Sequence, residues 1–163
     1  MKSILYFAIL VILFFTQQSA YSEIIKGKVV GVSDGDTVTV LDSAKVQYKI
    51  RLTGIDAPEK AQAYGQVSKK SLSDLVFNKD VEISWEKRDR YQRILGKVLL
   101  DKQDICLEQV KRGMAWHYKQ YQRDQSQEDR TSYDLAEKKA RGARLGLWAD
   151  DEPVEPSKFR HKR

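Results

Sequence analysis

The chain has 163 residues, 41% hydrophobic and 32% charged, with a formal net charge of +6. That length supports one ordinary hydrophobic core and excludes two comfortable ones, while the excess of Lys and Arg suits either a polyanionic partner or a basic surface with no specific ligand. A single cysteine, Cys106, excludes an internal disulfide, so stability has to come from packing or a bound metal.

The first segment reads as a leader. Met1-Lys2-Ser3 is a short positive start and Ile4 to Phe15 form an apolar run too short to span a bilayer. Ala20 and Ser22 give the small-x-small pattern of signal-peptidase sites, which predicts cleavage after Ser22 and so a signal peptide over residues 1–22. The rival reading is an uncleaved anchor or a buried helix. An exported product, periplasmic or extracellular, with no stable membrane association is the expectation. From Glu23 onward the chain has 141 residues with 28 basic and 23 acidic side chains, a net charge of +5.

Three runs rich in β-branched residues follow, Ile24 to Val32, Thr37 to Leu41 and Val46 to Leu52, separated by Ser33-Asp34-Gly35 and Asp42-Ser43-Ala44. They predict three consecutive strands joined by turns. From Tyr64 to Asn78, Val67, Leu72, Leu75 and Val76 recur at helical spacing. Val81 to Trp85 and Ile94 to Leu100 return to strand character around the charged stretch Glu86-Lys87-Arg88-Asp89-Arg90. Five strands with a helix inserted after the third outline an α+β fold, a five-stranded OB-type barrel with about three helices.

The second helix is read around Ile105, Leu107 and Val110, and the third over Glu128 to Arg141, ending at Gly142 and Gly146. Cys106, between Ile105 and Leu107, reads as a small core residue, and Trp148 as the residue that pins the last segment to the core. One domain over residues 23–150 is expected, with residues 151–163 a basic, flexible tail opened by Pro153 and Pro156.

Three clusters carry chemistry. Asp34-Gly35-Asp36-Thr37 places two carboxylates around a glycine at the opening of a strand; alone, Asp-Gly reads more often as a plain hairpin turn. Arg51-Leu52-Thr53-Gly54-Ile55-Asp56-Ala57-Pro58-Glu59 ends a strand with an arginine and two more acids, and Pro58 fixes the backbone between Asp56 and Glu59. Such oxygen donors suit a hard divalent cation. His117 and His161 are isolated, which argues against zinc. The third cluster, Asp89-Arg90-Tyr91-Gln92-Arg93, is a solvated loop if taken alone, yet a guanidinium can meet two oxygens of a five-coordinate phosphorus at once.

In this order on five strands, Asp34-Gly-Asp-Thr37, Arg51 to Glu59 and Asp89-x-Tyr-x-Arg93 resemble the staphylococcal nuclease, or thermonuclease, family, over about Ile24 to Trp148. The resemblance implies a calcium-dependent phosphodiesterase that cuts DNA and RNA with little sequence selectivity and leaves 3′-phosphates. It implies Asp36 and Asp56 as calcium ligands, joined by the backbone carbonyl of Ala57 where the family often has threonine, with Asp34 as a supporting acid. It further implies Glu59 as the base that activates water, and Arg51 and Arg93 as the phosphate-binding arginines. Arg90 and Tyr91 resemble positions that approach a terminal phosphate. Tyr118 and Tyr121 lie near the family's base-stacking tyrosines, where they either stack on an unpaired base of single-stranded or frayed substrate or pack on the barrel. Only Lys60-Ala61-Gln62-Ala63 separates Glu59 from Tyr64, a shorter loop than in the best-known family member. The rival function is an OB-type module that holds single strands without cutting them; a structural exported protein and a magnesium-type two-metal phosphatase explain fewer of these residues. A monomer is the default.

Overall fold

The computed structural model describes residues 23–161; the leader expected over residues 1–22 lies outside them. The first element, β1 (Glu23–Asp34), pairs antiparallel with two neighbours, using Lys28 to Asp34 against β2 (Thr37–Leu41) and Glu23 to Lys28 against β5 (Asp80–Arg88). Register shifts between Val29 and Gly31 and between Val32 and Asp34 mark bulges, the device by which one long strand bends enough to serve two sides of a barrel. β2 pairs with β3 (Gln47–Leu52), and β5 with β6 (Ile94–Leu100). The parallel pairing of β3 with β6 closes the barrel, with Arg51 opposite Leu95.

The barrel is filled because alternate residues point inward. Val38 and Val40 from β2, Ile50 and Leu52 from β3, Ile83 from β5, and Ile94 and Val98 from β6 are all buried in one cluster. Each such aliphatic side chain contributes about 1.5–3 kcal/mol relative to exposure. The five expected strands are present, and β5 runs on through the charged Glu86-Lys87-Arg88. Pairing of Lys87 with Leu95 and Arg88 with Ile94 continues the ladder there, so backbone pairing outweighs side-chain polarity.

Helix α1 (Gly65–Val76) follows the short strand β4 (Ile55–Asp56) and buries Gly65, Ser68, Leu72 and Val76. That face corrects the expected stripe: Val67 is exposed, and small Gly65 and Ser68 let the helix approach the barrel instead. A two-residue strand β7 (Gln103–Asp104) leads into α2 (Ile105–Lys111), whose first turn is capped by Asp104 accepting the Leu107 amide at 3.0 Å. Cys106 is fully buried in α2, and burial pushes its thiol well above the usual range, consistent with a packing residue.

The strand β8 (Trp116–His117) pairs with β4, Asp56 lying opposite Trp116. After a 3-10 turn at Lys119–Asp124 comes α3 (Gln127–Gly142), capped by Ser126 and carrying buried Tyr133, Ala136, Glu137 and Ala140. Trp148 is buried in a second small cluster, its ring centroid 4.4 Å from that of Trp116 in an edge-to-face contact, with the Arg141 guanidinium 3.7 Å from the Trp148 centroid. The expected pin is therefore a Trp-Arg-Trp assembly that backs the strand pair holding Asp56. Residues beyond Pro153, read from sequence as a free basic terminus, include a docked helix, α4 (Pro156–His161), opened by buried Pro156. Proline suits that first helical position because its missing N–H is needed by no partner there.

Candidate active site

The Asp34-Gly35-Asp36 loop joins β1 to β2 and is held by both neighbouring helices. Asp34 Oδ1 accepts the amide of Asp36 at 3.2 Å, closing the turn. A Cβ on Gly35 would collide with the Ser68 side chain of α1 and lie 2.7 Å from the Ala57 Cβ, so this glycine is required by close approach rather than by an unusual φ. Fully buried Gln109 of α2 donates from Nε2 to the Gly35 carbonyl at 2.9 Å and to the Ser68 carbonyl at 3.3 Å. The carboxylate of Asp36 is thereby delivered at a fixed place, 4% exposed.

Asp36 and Asp56 converge. Asp36 Oδ2 accepts the Ala57 amide at 2.7 Å, and Oδ1 accepts the Thr37 hydroxyl at 3.0 Å. Arg51 bridges the two acids, Nη1 meeting Asp36 Oδ1 and Nη2 meeting Asp56 Oδ1 at 2.8 Å. Burial draws the Arg51 guanidinium below the usual arginine range, against the attraction of Asp56 and Asp34. A buried arginine is retained because two carboxylates surround it. The loop from Leu52 to Asp56 turns at Gly54, whose φ of +75° is the left-handed conformation that glycine adopts freely.

Arg93 immediately precedes β6, beside the closing seam, and is oriented by Asp89. Asp89 Oδ2 accepts Arg93 Nε at 2.7 Å and faces Nη2 at 2.7 Å, while Oδ1 accepts the amides of Tyr91 and Arg93 at 2.8 and 3.0 Å. Burial works to raise the Asp89 carboxyl, but these hydrogen bonds outweigh it and hold the group below its ordinary value. Tyr91 is exposed, with the guanidinium of Arg90 4.8 Å and that of Arg93 5.4 Å from its ring centroid. An open cleft of about 490 Å³ is lined by Ser33, Asp34, Thr37, Lys49, Lys60, Tyr91 and Arg93. Lys49 and Lys60 were not singled out from the sequence. The first had a legible signal, since it lies two residues before Arg51 on β3 and so shares its face.

Glu59 sits in the loop after β4, its side chain 40% exposed and its amide donating to Gln62 Oε1 at 3.1 Å. It joins Asp56 through Arg160 of α4: Nη1 lies 2.8 Å from Glu59 Oε1 and 3.1 Å from Asp56 Oδ1, and Nη2 lies 3.0 Å from Asp56 Oδ2. Nothing in a basic terminus announces such a contact at the level of sequence. Tyr118 and Tyr121 pack on each other with centroids 5.0 Å apart. Tyr118 lines a cleft of about 180 Å³ beside Asp56, whereas Tyr121 is exposed. Burial and nearby Asp56 raise the Tyr118 phenol.

The donor set admits a hard divalent cation. Two carboxylates already share one positive group, Arg51, and their oxygens are joined by no imidazole or thiolate. Among the described residues no group of three or more His, Cys, Asp or Glu side chains forms a metal cage. Two carboxylates and a carbonyl would leave several coordination positions for water and substrate oxygens, which calcium accepts.

The sequence model of the family described as staphylococcal nuclease homologue matches residues 49–150, which include Arg51, Asp56, Glu59 and Arg93. Over 135 residues the chain is 50% identical to an uncharacterized endonuclease of Haemophilus influenzae, covering 83% of this chain and 72% of that protein. An uncharacterized endonuclease of Escherichia coli is 42% identical over 140 residues, covering 85% of this chain and 87% of its own. A protein of Shigella flexneri named micrococcal nuclease is 39% identical over 144 residues, covering 83% and 80% respectively. With its closed five-stranded barrel and helices, the chain belongs to the staphylococcal nuclease homologue family.

Proposed function

We propose that this phosphodiester-hydrolysing member of the family is a calcium-dependent endonuclease that cuts DNA and RNA with little sequence selectivity and leaves 3′-phosphate ends. The observation that carries the reading is the convergence of Asp36 and Asp56 on one cationic position at Arg51, with Glu59 in the adjoining loop. When bound, calcium would supply positive charge to a phosphate oxygen and polarise a water; Asp36, Asp56 and the Ala57 carbonyl would hold it.

The remaining chemistry belongs to side chains. Glu59 takes the proton of the attacking water at a carboxylate oxygen. The water oxygen bonds to phosphorus and the bond from phosphorus to the 5′ oxygen breaks, its electron pair staying on that oxygen. Arg51 and Arg93 donate to the phosphate oxygens, where negative charge concentrates in the five-coordinate state. Lys49, Lys60, Arg90 and Tyr91 hold the neighbouring backbone, and contacts of that kind carry no base code. Tyr118 and Tyr121 favour single-stranded or frayed ends by stacking on unpaired bases. We also propose that the chain is exported after cleavage at Ser22 and acts as a monomer.

Incubation of the chain from Glu23 to Arg163 with single-stranded DNA and RNA tests the reading. Cleavage in calcium, its loss in EDTA, 3′-phosphate ends on the products, and a fall of roughly 10²-fold or more in Glu59→Ala and Arg93→Ala are expected. Binding of DNA in calcium without cleavage would make the chain a holding module and overturn the proposal.

A further inference from the structure

The C-terminal segment lies beyond the family match, which ends at residue 150, and yet it reaches the candidate site. Gln62, in the loop after Glu59, donates from Nε2 to the Val154 carbonyl at 2.6 Å, and buried Pro156 seats the start of α4. The helix then turns Arg160 onto the acids. Arg51 takes one oxygen of Asp36 and one of Asp56, whereas Arg160 takes both oxygens of Asp56 and adds Glu59.

That arrangement is a problem for the chemistry just described. A carboxylate has about four lone-pair positions, and on Asp56 three guanidinium contacts occupy both oxygens of a residue that is only 1% exposed. A divalent cation on Asp56 needs those lone pairs and is repelled by a guanidinium beside them. Glu59 likewise gives one oxygen, Oε1, to Arg160 at 2.8 Å.

We propose that residues 152–161 form an autoinhibitory strap in which Arg160 acts as an internal counter-cation, competing with the divalent metal for Asp56 and engaging one oxygen of Glu59. The inference rests on the metal reading of Asp36 and Asp56. Docking of the strap and binding of the metal are then linked: each weakens the other by the same factor. The apparent metal affinity is lowered by the fraction of molecules whose strap is undocked, so cleavage is displaced to higher calcium concentration than the bare carboxylates would require. Substrate phosphate adds to the release by offering Arg160 another anion.

The test is a calorimetric calcium titration of the chain from Glu23 to Arg163, of Arg160→Ala, and of a chain ending at Asp151, with Lys158→Ala as a charge control. Lys158 lies on the same helix and pairs with Glu155 rather than with the site. Arg160→Ala and the shortened chain are expected to bind calcium roughly tenfold more tightly than the parent, and Lys158→Ala like the parent. Hydrogen exchange supplies a second readout: calcium should speed exchange at the Phe159 amide, which bonds the Glu155 carbonyl in the docked helix. Equal or weaker calcium binding by Arg160→Ala, or slower exchange on adding calcium, overturns the strap and leaves the metal reading standing. Failure of every variant to bind calcium overturns both.

Discussion

Gln109 and Gly35, 74 positions apart in the chain, are joined by a buried 2.9 Å hydrogen bond from side-chain amide to backbone carbonyl. The same Gln109 accepts the Ser71 hydroxyl at 2.7 Å, so one side chain ties α1, α2 and the loop that presents Asp36. Gln109→Leu keeps the volume and leaves these partners without donors or acceptors. The expected loss is about 2–4 kcal/mol of stability, read as a lower urea midpoint with an unchanged slope.

Asp89 carries no proposed catalytic task, but it fixes Arg93 through both side-chain and backbone bonds. Asp89→Asn is expected to reduce cleavage by about tenfold, the size of one lost charge-assisted contact. The pH dependence has a definite sign. A carboxyl held below its ordinary value in the folded state adds stability at pH values above that ordinary value and loses it as acid protonates the folded form. The stability gap between the parent and Asp89→Asn should therefore be present at neutral pH and close below about pH 3–4, where carboxylates titrate. Urea melts across that range check it; a gap that widens in acid contradicts the account.

Arg51→Lys tests geometry rather than charge. A lysine is a point charge and cannot span Asp36 and Asp56 as the two guanidinium nitrogens do. Single-turnover cleavage should slow by roughly 10²–10³-fold, the range for a lost preorganised donor. Substrate binding, dominated by other phosphate contacts, should change much less.

Trp148→Ala removes the ring that packs on Trp116 and Arg141. The expected cost is about 3–5 kcal/mol, equivalent to a fall in Tm of roughly 10 °C for a domain of this size. Because Trp116 lies opposite Asp56 in the β8–β4 pair, cleavage at a temperature well below the new Tm should also drop. Near-ultraviolet dichroism and activity measured on the same sample separate the two effects.

Much of this architecture was legible because its determinants are local. β-branched runs marked the first three barrel strands and a return to strand character the last two, and Asp34-Gly35-Asp36 and Arg51 to Glu59 lay at strand ends, where the barrel brings Asp36, Arg51 and Asp56 together. What was illegible depends on long-range packing. Gln109 reads as an ordinary surface glutamine until α1 and α2 meet over Gly35. Val67 fits the helical apolar stripe of α1 but is exposed, since Ser68 faces inward in its place. Arg160 is separated from Asp56 by 104 positions, and only the docking of α4 gives its charge a purpose beyond solubility.

The seam between β3 and β6 also sets what the enzyme can tolerate in motion. Arg51 lies in β3 and Arg93 immediately before β6, the two strands that close the barrel by pairing Ile50, Arg51 and Leu52 with Ile94, Leu95 and Gly96. That short ladder is built of core residues, Ile50, Leu52 and Ile94 all being buried, so it opens only at a free energy near that of global unfolding. The spacing of the two guanidiniums should thus persist on heating until the helical and sheet signals are lost, and ligands that bridge both arginines should act as clasps that raise the whole transition.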